Sequence, residues 1–74
     1  MDSYTELANA IIIQAVKDYR KALKTLKRYP RYEPARAMVT EVEEFFRSEW
    51  YRTLTSVDGD MLIRKIRREI NDCA

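Results

Sequence analysis

The sequence predicts an all-α fold, a three-helix bundle with two long helices and a shorter third. Three observations carry this. The chain has 74 residues with one Gly and two Pro, and 35% of its residues are charged, a composition suited to helices rather than sheets. Apolar residues recur at three- and four-residue spacing in three separate stretches. Pro and Gly occur only between those stretches, where a bundle needs its turns.

The first helix is expected over residues 3–28. Ser3-Tyr4-Thr5-Glu6 fits a capping box, in which the serine oxygen accepts an early backbone N–H and Glu6 reaches back. At about 100° per residue, Ile12, Ala15, Val16, Tyr19, Ala22, Leu23 and Leu26 share one arc. Lys17, Arg20, Lys21, Lys24, Lys27 and Arg28 share another, and Arg31 continues the run. One face is therefore made for packing, and the other for water or a polyanion.

Tyr29-Pro30-Arg31-Tyr32-Glu33-Pro34 ends this helix, because each proline disfavours helical geometry in the residue before it. Pro34 suits the first position of a second helix over 34–54, where its missing N–H is no loss. Met38, Val39, Val42, Phe45, Phe46 and Trp50 form its apolar side, with Glu43 and Arg47 paired at i,i+4 on the other. Glu41, Glu43 and Glu44 read as solvated surface. Glu49 falls inside the apolar arc, so it either reaches solvent at the edge or pairs with a base or a tyrosine hydroxyl.

Thr55 to Asp60 forms the second turn, with Ser56 or Asp58 as the cap of a third helix over 58–71. That helix buries Leu62, Ile66 and Ile70, with Ile63 alongside. Asp58-Gly59-Asp60 resembles a fragment of a calcium loop. The EF-hand register, however, places Lys65 where the bidentate glutamate belongs, so a capped turn is the better account.

Two features point to a partner. The third helix spans only about 20 Å and cannot cover both longer helices along their length. Ile11-Ile12-Ile13 spans about 200° of the first helix, so its members cannot all face one neighbour. Tyr51 falls well off the apolar arc and Trp50 at its margin. Ile11, Ile13, Trp50 and Tyr51 are therefore expected at an interface, and self-association as a symmetric dimer is the simplest form.

Chemistry has little to stand on. The chain lacks histidine, the usual base for a serine or cysteine nucleophile and the commonest metal ligand. It has no glycine-rich phosphate loop. Neither an enzyme nor a cofactor-dependent protein is expected. Cys73 rules out an internal disulfide and suits a reducing compartment. No apolar run approaches the ~20 residues of a membrane span, and the amino terminus has no basic leader; a cytoplasmic location follows.

Net charge is only +2, yet residues 17–31 hold seven bases and one acid. That stripe is either a solvated lysine-rich face or a contact for nucleic-acid phosphate or an acidic protein. Tyr29, Tyr32 and Arg31 would add base stacking beside a phosphate contact. A recognition-helix reading of the third helix is weaker, because no Asn or Gln lies mid-helix to read adenine.

Phe45-Phe46-Arg47-Ser48-Glu49-Trp50, then Val57-Asp58-Gly59-Asp60 and Leu62-Ile63, resemble uncharacterised small proteins of phages and prophages of Gram-positive bacteria. Ala15-Val16-Lys17-Asp18-Tyr19-Arg20 extends the likeness over most of the chain. The resemblance implies a cytosolic accessory protein in a bacterial host that binds a host or phage component, in some cases to inhibit it. It implies no catalytic residues.

Overall fold

A computed structural model describes residues 3–72, all of the chain except two residues at each end. The described residues form four helices, α1 (Ser3–Arg28), α2 (Glu33–Phe46), α3 (Glu49–Leu54) and α4 (Gly59–Asp72), with no strand. The fold is all-α, as the composition predicts. Four helices replace the expected three because the second predicted helix breaks.

α1 holds the length that its pattern predicts, 26 residues, with Tyr19, Ala22 and Leu23 buried along its core face. The capping box read at Ser3 falls at the edge of the described residues. After the turn at 29–32, α2 runs back antiparallel to α1. Tyr4 lies near the Thr53 carbonyl beyond α2's end, while Tyr19 meets Glu43. Pro34 occupies the second position of α2 rather than the first, an equally harmless place for a residue without an N–H.

The break comes at Arg47-Ser48. Ser48 adopts extended backbone geometry (φ −79°, ψ 159°) and caps α3, its Oγ accepting from the Tyr51 amide at 3.2 Å. The same hydroxyl donates to the Phe45 carbonyl at 2.6 Å, so one side chain serves the end of α2 and the start of α3. The change of direction carries Tyr51 into the core.

Asp58 caps α4. Its carboxylate accepts from the Asp60 amide at 3.0 Å and its carbonyl from the Leu62 amide at 3.1 Å. Ser56 takes no part. α4 then packs antiparallel to α2, with Arg47 on Asp60 at one end and Arg67 on Glu43 further along. Gly59, Ile63, Ile66 and Ile70 are its buried residues, and Leu62 lies at the margin.

Gly59 has no positive φ; its role is proximity. A Cβ at this position would lie 2.0 Å from the Phe46 carbonyl oxygen and 2.9 Å from its carbon. Only glycine lets the start of α4 touch the end of α2. The core that results contains Tyr19, Phe46, Tyr51 and Ile66 as its largest fully buried side chains. Phe46 packs edge-on against both Tyr19 and Tyr51, the arrangement that aromatic quadrupoles favour.

Candidate protein-docking surface

Every residue of the predicted basic stripe is exposed, but the stripe is not uniform. Arg20 pairs with Glu69 of α4 at 2.9 Å. Lys27 donates to the carbonyl oxygens of Ile70, at 2.8 Å, and Asn71. The last four carbonyls of a helix have no partner within it, and α4 has no base in its own last turn. Lys27 of α1 supplies that cation from outside, so two of the seven bases hold α4 in place.

Lys17, Lys21 and Lys24, among the described residues, have no ion-pair partner and remain as a lysine face. Arg28 lies over the Tyr29 ring at 5.6 Å. Together with Pro30, Arg31 and Tyr32 these two line a shallow concavity of about 460 Å³ at the turn. Both tyrosine rings are more than half exposed, so the turn does not use them for packing.

Among the glutamates the structure corrects the solvated reading of Glu43. Its side chain is 17% exposed and accepts from the Tyr19 hydroxyl at 2.6 Å and from the Arg67 guanidinium, with Arg47 at 3.7 Å. Burial raises the carboxyl's pKa, but these hydrogen bonds and the two arginine charges outweigh it and leave Glu43 below the usual carboxylate range. Tyr19, pushed up to about 12 by burial and then by its bond to Glu43, stays protonated and donating. The cluster ties α1, α2 and α4 together. Glu41 and Glu44 are exposed as expected, and of the two outcomes open for Glu49 the structure shows the exposed one, the residue having left the apolar arc at the Ser48 break.

The four residues assigned to an interface separate. Tyr51 is contradicted: at 1% exposure it belongs to the core, and its hydroxyl is buried without a hydrogen-bond partner among the described residues. On a continuous helix Tyr51 would face away from the core; the Ser48 break turns it inward. Trp50, next to it, is turned outward at 57% exposure and rests edge-on against Phe45 at 5.3 Å. Ile11 is half-buried. Ile13 is exposed on the outer, basic side of α1.

Ile11 and Trp50 border one surface. A groove of about 610 Å³ runs along the α1/α2 seam, and no α4 residue lines it. Ala10, Ile11 and Ala15 form its α1 wall, Met38, Val42 and Phe45 its α2 wall, and Trp50 closes one end. Its polar lining is Gln14, Asp18 and Glu41, with the Gln14 amide on the Asp18 carboxylate at 3.0 Å. The lining is mainly apolar, with no hydroxyl or thiol side chain in it. Met38, Phe45, Asp18 and Glu41 were not singled out from sequence as its lining; the signal was Ile11-Ile12-Ile13, which demanded a second neighbour for α1.

A second concavity, about 510 Å³, lies between α3 and the start of α4, lined by Arg47, Arg52, Ser56 and Asp58 among others. Asp58 and Asp60 are already engaged there by the α4 backbone and by Arg47. Among the described residues no group of acidic or cysteine side chains is arranged to hold a metal ion. No helix among them is long and apolar enough to cross a membrane. Cys73 lies outside the described residues.

No known protein family matches the chain, and no curated protein or solved structure shows significant similarity to it.

Proposed function

We propose that this chain is a protein-interaction module, an accessory protein of the phage or prophage type. In this reading it works in the cytoplasm of a bacterial host by engaging a host or phage protein, or a second copy of itself. The observation that carries the reading is the apolar groove between α1 and α2 with Trp50 exposed at its end. Exposed aromatic anchors beside a preformed concavity are the usual centre of a protein interface. Inhibition of a host system is one outcome of such docking.

Photocrosslinking tests this. A photoreactive side chain replacing Ile11 should capture a polypeptide in the host cell, and the same group replacing Lys65 on α4 should not. Equal capture at both positions, or none at Ile11, contradicts the reading.

Nucleic-acid binding is the second reading, favoured by Lys17, Lys21 and Lys24, which lack ion-pair partners among the described residues, and by the exposed Tyr29 and Tyr32 rings. Neutralised phosphates release counterions, so affinity should fall steeply with salt. Charge reversal at Lys21, Lys24 and Arg28 should abolish binding and leave helicity intact. Absence of binding to single- and double-stranded DNA at low salt removes this reading.

A further inference from the structure

α1 and α2 form two grooves along their seam, and the filled one shows what such a groove takes. α4 enters it with Ile63, Ile66 and Ile70, a stripe at helical spacing, and sets Arg67 beside them onto the half-buried carboxylate of Glu43. An amphipathic helix with a base next to its apolar stripe is thus the ligand the α1/α2 pair already holds.

The open groove repeats the same elements. Glu41 and Glu43 are two residues apart, so they project about 200° apart around α2, one toward each groove. In the open one, Ile11, Ala15, Met38, Val42 and Phe45 supply the apolar walls, and the charged lining is wholly acidic, Asp18 and Glu41. Its α1 wall runs from Ala10 to Asp18, about 12 Å of helix, matching roughly two turns of an occupant. Two such turns present anchors at i, i+3 or i+4, and i+7.

We propose that this groove is the docking site for a short amphipathic helix of another protein, one that carries Lys or Arg beside its apolar stripe. The inference rests on the docking reading and names the partner's chemistry. Charge complementarity decides the occupant. A two-fold pairing of groove on groove brings the Asp18 and Glu41 carboxylates of both copies into one interface, and the lining supplies no base to meet them. A cationic helix meets both carboxylates with opposite charge. Lys17 and Lys21 are turned roughly 60–100° from Asp18 around α1, so they direct the partner's bases toward the α2 side.

The chain's single tryptophan lies at the groove's end and reports on occupancy. The probes are two synthetic helical peptides with the same leucine stripe, one flanked by lysine and one by glutamate. Titrated into the whole chain, the lysine peptide should shift Trp50 emission saturably at one-to-one stoichiometry. It should bind at least about tenfold tighter than the glutamate peptide. The pair Asp18→Asn and Glu41→Gln, both outside the core, should remove most of that preference. Ile11→Asp should weaken both peptides, with circular dichroism confirming that the helices persist.

Equal affinity for the two peptides, an unchanged preference in the neutralised variant, or no response to the lysine peptide overturns the inference. Sedimentation separates this failure from that of the docking reading. A dimer that Ile11→Asp dissociates would show that a second copy fills the groove, which sinks the cationic helix and keeps the docking face. A monomer that neither binds a peptide nor crosslinks through Ile11 sinks both.

Discussion

Gly59 shows how a residue's role can differ from what its type suggests. A glycine between two aspartates reads as a turn, yet its backbone is ordinary and its necessity lies in the Phe46 carbonyl against it. Gly59→Ala should lower stability by about 1–3 kcal/mol, the range of core overpacking, measurable by urea denaturation. A stability unchanged from the native chain would show that the α2–α4 contact can yield. Glu43 has the same hidden character: its i,i+4 spacing to Arg47 is visible in sequence, but its bond to Tyr19, 24 residues away, is not.

Glu43 also makes a pH prediction. Its folded pKa is depressed, so the stability it contributes is present above the unfolded value of 4.5 and lost as pH falls through the folded value. Tyr19 has the opposite sign: raised to about 12, it contributes stability below 10.0 that is lost as pH climbs to the folded value. The native chain should therefore be most stable between these limits. Glu43→Gln should lose about 1–3 kcal/mol at neutral pH and show a flatter acid limb in thermal melts. An acid limb as steep as the native one would remove Glu43 from this role.

Among the elements, α1 and α4 were legible because each carries an apolar stripe at helical spacing, Ile12 to Leu26 in the first and Leu62 to Ile70 in the second. The α2–α3 boundary was not. Met38 to Trp50 maintains a plausible helical stripe straight through Ser48, and helix propensity alone gives no reason to stop there. The discordance was nonetheless present: Tyr51 pointed away from the core and Glu49 toward it. A change of direction at Ser48 resolves both, and Ser followed by Glu is a helix-start signal. Ser48→Ala removes the cap of α3 and the contact to Phe45, and should cost about 1 kcal/mol. Circular dichroism and chemical denaturation would measure it; no loss would mean that packing of Tyr51 alone sets the break.

Between elements, the basic stripe illustrates what a helical wheel leaves out. Arg20 and Lys27 belong to the stripe by angle, but α4 takes them for Glu69 and for its own terminal carbonyls. Sequence separations of 43 and 49 residues set those contacts, and no local pattern encodes them. The part of the candidate site that could be read was Ile11, marked by the isoleucine triplet, and Trp50, marked by its place at the margin of the apolar arc. Asp18, Met38, Glu41 and Phe45 joined them only through the antiparallel pairing of α1 with α2.

For the whole molecule, α4 accounts for the asymmetry. It is 14 residues long against 26 in α1, and it fills one groove of a two-groove seam. The other is left lined by apolar walls and two carboxylates, with Trp50 above it. Met61 on α4, at 51% exposed, resembles Trp50 at 57% in accessibility but does not line that groove. Oxidative footprinting of the two side chains, in dilute purified protein and in cells producing it, therefore tests the docking face most directly. Trp50 should be modified readily in isolation and protected in the cell, while Met61 keeps the same reactivity in both. Trp50 as reactive in the cell as in dilute solution would contradict the account.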